Sequence, residues 1–164
     1  MEIGNHIGRI FGSQTEMIPI LPNVDFALNP ERRQFHSTAI LARLAEMMPA
    51  GTFKVIAITE FDLFIPILTH VYGEAQLGGK AAIISLFRLQ EGLPSSGANP
   101  SIGNRAVKEA IHELGHTFNL RHCPEKTCIM HYCRSVRDVD RKSDQLCRHC
   151  TVMLNDELKR LELK

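Results

Sequence analysis

The run HELGH at residues 112–116 contains two histidines and a glutamate at a spacing that could hold a metal ion on a helix. Residues four apart on an α-helix lie about one turn apart on the same side, so His112 and His116 can present their imidazoles to one ion. Glu113 projects from the flank of this pair, where its carboxylate can meet a metal-bound water without ligating the metal. The same helix carries an apolar stripe that predicts a core-facing side, formed by Val107, Ala110, Ile111, Leu114 and Phe118.

A third histidine, His122, follows six residues after His116. It lies too far round to share the helical face, so it reaches the metal only if the helix ends and the chain turns. Asn119 stands where a residue of left-handed conformation is needed, and asparagine is a common substitute for glycine in that role. Chance is the alternative explanation for HExxH alone, and the third histidine argues against it. Three neutral imidazoles leave zinc one open position for water.

Five cysteines follow the second half of the motif, at positions 123, 128, 133, 147 and 150. Without a recognisable secretory signal, such thiols are metal ligands more often than disulfides. Four of them would hold a zinc ion, but local spacing does not say which, because four residues separate Cys123 from Cys128 and four separate Cys128 from Cys133. The alternative is buried thiols that behave as small hydrophobes. A second zinc would also stabilise residues 123–164, which are too few to bury a large core.

The segment HELGHTFNLRH at residues 112–122 resembles the metzincin zinc signature HExxHxxGxxH, and the cysteines that follow resemble the archaemetzincin subgroup in particular. That motif continues with a cysteine directly after the third histidine, then a cysteine, one residue and a methionine, then a distant CxxC. Residues 32–44 and 72–89 are also similar to archaemetzincin sequence, so the resemblance covers most of the chain. Asn119 stands where the family pattern has glycine.

The resemblance implies two zinc ions per chain. A catalytic zinc would be held by His112, His116 and His122. Met130 would form the Met-turn beneath this zinc without ligating it. The run Met130-His131-Tyr132 resembles the Met-turn of the astacin branch, which implies that Tyr132 is a movable fifth ligand and an oxyanion donor. The alternative is a tyrosine that packs beside the turn. A structural zinc would be held by four thiolates that leave Cys133 free, those of Cys123, Cys128, Cys147 and Cys150.

The resemblance also implies the fold, of class α/β in an α+β arrangement. We expect a mixed twisted sheet with a backing helix and an active-site helix, then a small zinc-stapled C-terminal subdomain that ends in a helix. Length predicts a single domain over residues 1–164, divided into an N-terminal subdomain of residues 1–122 and a C-terminal subdomain of residues 123–164. Because His122 and Cys123 are neighbours, the two metal sites should be mechanically coupled.

The chemistry implied is zinc-dependent hydrolysis of peptide bonds. Glu113 would accept a proton from the attacking water and pass it to the departing amine. The partner would be a peptide or protein substrate, lying extended along an edge strand at residues 69–77. The alternative function is a zinc-binding regulatory or interaction module with little or no peptidase activity. A four-cysteine module that contacts nucleic acid is disfavoured by the net charge of +1.

Composition is that of an ordinary globular protein, with 44% hydrophobic and 23% charged residues in 164. No segment approaches the roughly 20 apolar residues needed to cross a bilayer, and no secretory signal is visible. We therefore expect a cytoplasmic monomer that binds neither membrane nor nucleic acid.

Periodicity and helix breakers predict the remaining elements. Residues 7–11 form an amphipathic stretch, and residues 17–21 a short strand. A helix capped at Asn29-Pro30 runs to about Met48, and central strands occupy residues 53–59 and 81–89. A turn at the GGK of residues 78–80 follows the edge strand, residues 92–103 form a loop, and charges alternate on a solvated face from residue 134 to 144. Ser143 caps a last helix with an apolar stripe formed by Leu146, Cys150, Met153, Leu154, Leu158 and Leu161.

Overall fold

The fold mixes small β-sheets with helices that pack on them, and the predicted fold class is confirmed. The computed structural model describes residues 2–93 and 100–162. The helices are α1 (Glu2–Phe11), α2 (Ser37–Glu46), α3 (Leu86–Leu89), α4 (Pro100–Thr117), α5 (Val136–Arg141) and α6 (Arg148–Glu162). The strands are β1 (Leu28–Asn29), β2 (Gln34–His36), β3 (Val55–Thr59), β4 (Leu63–Phe64), β5 (Gly73–Ala75) and β6 (Ala81–Ser85).

Two three-stranded sheets form, in the orders β1-β2-β4 and β3-β6-β5. In the second sheet β3 runs parallel to β6, and β5 runs antiparallel to it. The strand β6 is central and completely buried, as its apolar sequence predicts, but it ends at Ser85 and not at residue 89, because Ser85 caps the helix α3. The strand β3, also predicted to be central, is a half-exposed edge strand. The prediction of an edge strand within residues 69–77 is confirmed for β5, and Gly78 turns the chain into β6 with a φ of 65°.

The helix α4 packs on β6 with Ala106 and Ala110, and on α1 through its other apolar residues. From Arg105 to Gly115 every residue of α4 is buried. The predicted apolar face lies in the core, and His112 on the opposite face is buried as well, because the chain after residue 122 folds back over it.

The C-terminal segment contains one helix that periodicity did not predict. Ser135 caps α5, and its hydroxyl and backbone N–H both hydrogen-bond the carboxylate of Asp138. Ser143 does not cap the last helix, since its hydroxyl accepts a hydrogen bond from the backbone N–H of Gln145 and α6 begins only at Arg148. Of the predicted stripe on α6, Cys150 and Leu154 are buried, whereas Met153 is 43% exposed.

Three further predictions for regular structure are wrong in detail. Residues 17–21 form no strand but line a groove beside β3, since prolines at positions 19 and 22 lack the N–H that a sheet requires. The helix expected from residue 29 begins only at Ser37, after a hairpin whose turn holds Arg33 at a φ of 54°. Within the loop expected at residues 92–103, residues 100–103 start α4, and residues 94–99 lie outside the described residues.

Candidate metal centres and active site

The end of α4 delivers the third histidine. Asn119 adopts the predicted left-handed conformation, with a φ of 64°. The N–H of Leu120 donates to the carbonyl of Gly115 at 3.0 Å, and the N–H of Asn119 donates to that of His116 at 2.9 Å. These two bonds define a Schellman motif, which satisfies the last carbonyls of the helix and reverses the chain. His122 therefore turns back toward the histidines of the helix.

The three histidines converge, with one ring nitrogen of each lying within 4.8 Å of the others. The Nδ1–H of His112 donates to the carbonyl of Ile129 at 2.8 Å, and the Nδ1–H of His116 donates to that of Leu120 at 2.7 Å. Both Nε2 atoms thus keep their lone pairs, and they lie 3.2 Å apart. Two facing lone pairs repel unless a cation lies between them. Imidazoles oriented by carbonyls in this way suit zinc.

Burial favours the neutral form of all three rings. It lowers the pKa of His116 and of the more exposed His122, and it lowers that of the enclosed His112 well below the ordinary value. The ammonium of Lys142 acts in the same direction on each ring. Neutral imidazole is the form that ligates a metal, so the site does not have to expel protons before a cation enters.

Glu113, the residue that follows His112 in the chain, is buried. Burial raises its pKa well above the ordinary value, the neighbouring Glu109 raises it further, and Lys142 opposes both. A glutamate with a raised pKa holds a proton more readily near neutral pH, which suits a general acid or base.

The edge strand β5 touches Glu113 directly. A β-carbon built on Gly73 would lie 2.6 Å from Cγ and 2.8 Å from Oε1 of Glu113. Only a residue without a side chain allows this approach. In the antiparallel pair with β6, alternate residues direct their backbone groups outward, so Gly73 and Ala75 present N–H and C=O groups away from β6.

Met130 lies in a tight turn after His122. The N–H of Cys123 donates to the carbonyl of Met130, and the N–H of His131 donates to that of Cys128, both at 2.9 Å. The Met130 side chain is completely buried. Tyr132 is 46% exposed, and its ring centroid lies 5.1 Å from that of His122.

Four thiols converge in a second cluster, made of Cys123, Cys128, Cys147 and Cys150. Their sulfurs lie within 4.8 Å of one another, and the N–H of Cys147 donates to the sulfur of Cys128. Four closely spaced thiols are a usual ligand set of a structural zinc. Cys133 lies elsewhere, packed with Tyr72 and Val139, and burial raises its pKa to about 11.

Sequence reasoning missed the residues that support the site rather than form it. Gly73 and Gly115 permit close contacts that no periodicity encodes. The charge alternation around residue 142 predicts a solvated face, yet the side chain of Lys142 is fully buried against Glu109. One signal was available, because Glu109 and Glu113 are like charges four apart on a helix, which is unfavourable without a nearby cation.

Comparison with known proteins agrees with this geometry. The sequence profile of Peptidase family M54 matches residues 11–156. The archaemetzincin of Methanocaldococcus jannaschii is 42% identical over 161 residues, which cover 94% of this chain and 87% of that protein. The crystal structure of archaemetzincin from Methanopyrus kandleri superposes with a TM-score of 0.82 at 34% identity, covering 96% of this chain and 84% of that one. The crystal structure of a zinc-dependent peptidase from Methanocorpusculum labreanum superposes with a TM-score of 0.79 at 26% identity, covering 93% of this chain and 91% of that one.

The fold and the histidine cluster define a zinc metallopeptidase, a hydrolase that acts on peptide bonds. Within that class, the chain belongs to Peptidase family M54, whose curated relatives are archaemetzincins. No helix in the described parts of the chain is long and apolar enough to span a membrane.

Proposed function

We propose that the chain hydrolyses peptide bonds at a zinc ion held by His112, His116 and His122, with Glu113 as general base and acid. The observation that carries the proposal is the convergence of three imidazoles, with a buried glutamate directly after the first of them in the chain. A zinc ion bound there would activate water and polarise the scissile carbonyl.

Glu113 has the chemistry for both proton transfers. Its ionised carboxylate would accept a proton from the attacking water, and the resulting acid would donate that proton to the nitrogen of the departing amine. The position of Gly73 against Glu113 supports this role, since the strand backbone leaves the carboxylate little room to rotate away. Tyr132, whose ring lies beside that of His122, is proposed as a donor to the oxyanion.

The four-cysteine cluster is proposed to hold a second, structural zinc. His122 and Cys123 are adjacent in the chain, and Ile129, whose carbonyl orients His112, lies between Cys128 and Met130. A metal on the thiols would therefore hold in place the backbone that positions two of the three histidines. This arrangement supports mechanical coupling of the two sites.

The substrate is proposed to lie extended against β5. The outward N–H and C=O groups of Gly73 and Ala75 could pair with the substrate backbone, as an added strand pairs with a sheet edge. The replacement Ala75→Pro removes one outward N–H without removing a hydrogen bond to β6. We expect it to raise KM for long peptides with little change in zinc content. Unchanged kinetics would place the substrate elsewhere.

The decisive experiment compares the unmodified chain with Glu113→Gln in a peptide-library digest, with zinc measured in both. Glutamine keeps the shape of glutamate but cannot accept the proton. We expect cleavage by the unmodified chain, loss of turnover in the variant, and equal zinc content. Turnover that survives in Glu113→Gln would contradict the role of this residue. A zinc-loaded chain that cleaves no peptide would instead favour a zinc-binding regulatory or interaction module.

A further inference from the structure

Lys142 directly follows α5 and packs against α4, about one turn before the HELGH motif. No part of its side chain is exposed, and its Nζ lies 2.7 Å from Oε1 of Glu109, whose side chain is 5% exposed. Burial alone would lower the pKa of Lys142, but attraction to neighbouring groups, above all to the carboxylate of Glu109, outweighs it, so the pKa is raised above its ordinary value. The pair is therefore a fully buried salt bridge.

A buried salt bridge is a poor way to stabilise a fold. The desolvation of both ions offsets most of their attraction, and apolar residues of similar volume are often no less stabilising. Geometric specificity is one role for which such pairs are retained. The role of the Lys142–Glu109 pair is therefore sought in the two segments that it joins and not in its contribution to stability.

The salt bridge closes a loop of contacts that begins and ends on α4. From Lys142 the chain continues to Ser143, whose N–H donates to the carbonyl of Thr127 at 2.9 Å. The carbonyl of Gln145 then accepts from the N–H of Ile129 at 2.9 Å. The carbonyl of Ile129 accepts the Nδ1–H of His112 at 2.8 Å, which returns the loop to the helix.

The two ends of this loop lie about one turn apart on the helix, because Glu109 precedes His112 by three residues. The salt bridge of Glu109 and the hydrogen bond of His112 attach the helix at two points along its axis. Together they restrain both its rotation and its translation against residues 127–131. That segment also contains Cys128 and Met130. If the salt bridge were removed, the hydrogen bond from His112 would remain, but one of the two attachments of the helix to this loop of contacts would be lost.

We propose that Lys142 is a positioning residue for the three-histidine site. Through its salt bridge with Glu109, it holds α4 in register with residues 127–131, the segment that orients His112. The expected effect of Lys142 on turnover rests on the proposed peptidase function. Its expected effect on metal binding does not depend on that function.

The test uses the full chain loaded with cobalt, because thiolate ligation gives an intense charge-transfer band whereas histidine ligation gives only weaker visible bands. The two sites can then be followed separately during challenge with a chelator. The central variant is Glu109→Met with Lys142→Met, which leaves no buried charge unpaired. It separates positioning from stability, since the apolar pair should melt at least as high as the original.

We expect the double variant to release cobalt from the histidine site about 10-fold to 100-fold faster, the range found when residues that orient metal ligands are changed. The kcat should fall by a similar factor while KM changes little. The reversed pair, Glu109→Lys with Lys142→Glu, should recover part of both losses. Lys142→Met alone should be less stable than the double variant, because it leaves Glu109 buried without its cation.

Lys108→Met provides the matched control. Lys108 is also a buried lysine of α4 that reaches α5, where its Nζ donates to the carbonyls of Val139 and Asp140 at 3.0 Å each. Its bonds reach only the backbone of α5 and touch neither Glu109 nor Lys142, so we expect lower thermal stability with a much smaller change in cobalt release and kcat than in the double variant.

A double variant that melts normally, retains cobalt as the original does and keeps its kcat would show that the salt bridge is only structural, and the proposal would be wrong. Cobalt release decides this even if the chain cleaves no peptide. A failure of the proposed function is thus distinguishable from a failure of this proposal.

Discussion

The sulfur of Met130 packs directly on Gly115, in the last turn of the helix that carries His112 and His116. A β-carbon built on Gly115 would lie 2.5 Å from Sδ and 3.0 Å from Cε of Met130. Gly115 immediately precedes His116, so the turn after the third histidine rests on the helix next to a residue of the histidine cluster. The glycine in HELGH is thus a packing position as well as a spacer between ligands.

Gly115→Ala should therefore displace the Met130 turn. Alanine favours a helix over glycine by about 1 kcal/mol, but the overlap with Met130 should outweigh this and leave a net loss of about 1–3 kcal/mol. Zinc affinity should fall with it. Denaturant unfolding and metal titration would measure both effects. The control is Gly103→Ala in the same helix, where the nearest atom, 3.3 Å away, is the flexible end of Glu2. Equal behaviour of the two variants would contradict the contact.

Gly73→Ala should reduce turnover without removing zinc. The added methyl group would overlap the Glu113 side chain and the carbonyl of Ile83. A displaced general base loses alignment, and we expect kcat to fall about 10-fold to 100-fold. Zinc content should stay that of the unmodified chain, because the atoms nearest to the added methyl group belong to Glu113 and Ile83 and to no histidine. A variant with full kcat would mean that Glu113 is free to move or is not the base.

Replacing cysteines should separate the structural site from the remaining thiol. Cys147→Ser should lower the zinc content from two ions per chain to one and weaken the histidine site as well, since the thiol cluster holds the backbone next to His122. Cys133→Ser should leave two ions, because Cys133 lies outside the cluster. Metal analysis of the purified proteins measures this. A content of one zinc in the unmodified chain, unaltered by Cys147→Ser, would rule out the second site.

Acid should weaken the attachment of α5 to the zinc helix. Hydrogen bonds from Arg105 lower the pKa of Asp140 below its ordinary value of 3.8. The unfolded carboxyl therefore binds a proton more readily than the folded one, so this stabilisation is complete above the ordinary pKa and is lost as pH falls through the folded value.

The variant Asp140→Asn isolates this contribution. Its melting temperature should be lower than that of the unmodified chain at neutral pH, and this difference in melting temperature should become smaller as the pH falls below 3.8. Thermal melts across this range provide the measurement. A gap that stays constant would show that the ion pair contributes nothing to the acid response.

Tyr132→Phe tests whether the phenol acts on the oxyanion. Tyr132 lies beside His122 and is partly exposed, so the side chain has room to swing toward the zinc. Loss of one oxyanion donor lowers turnover by about 10² to 10³, and kcat should fall by that order with little change in zinc content. Activity retained within a few fold would mean that the tyrosine only packs beside the turn.

Much of the site could be read from the sequence because its ligands are close along the chain. Helical periodicity alone brings His112 and His116 to one side, and Asn119 marks where the helix ends. The long apolar run around β6 likewise predicts a buried strand. Local geometry determines each of these features, so local sequence was sufficient.

Boundaries in the N-terminal half were less readable because local preferences conflict there. Pro30 resembles the first residue of a helix, but it occupies the turn of a hairpin whose strands are only a few residues long. Pairing between β2 and β4, distant in sequence, overrides the local signal. Such pairing depends on contacts that no single segment contains.

The residues proposed to carry the chemistry can be recognised from sequence alone, because three imidazoles, one carboxylate and a set of thiols stand at spacings that a helix and a turn bring together. The contacts that support these residues are visible only in the folded chain. Only folding places Gly73 against Glu113, Met130 on Gly115 and Lys142 on Glu109. The physical reason is that ligand geometry follows from backbone periodicity over one or two turns, whereas burial and close contact depend on which distant segment covers the helix.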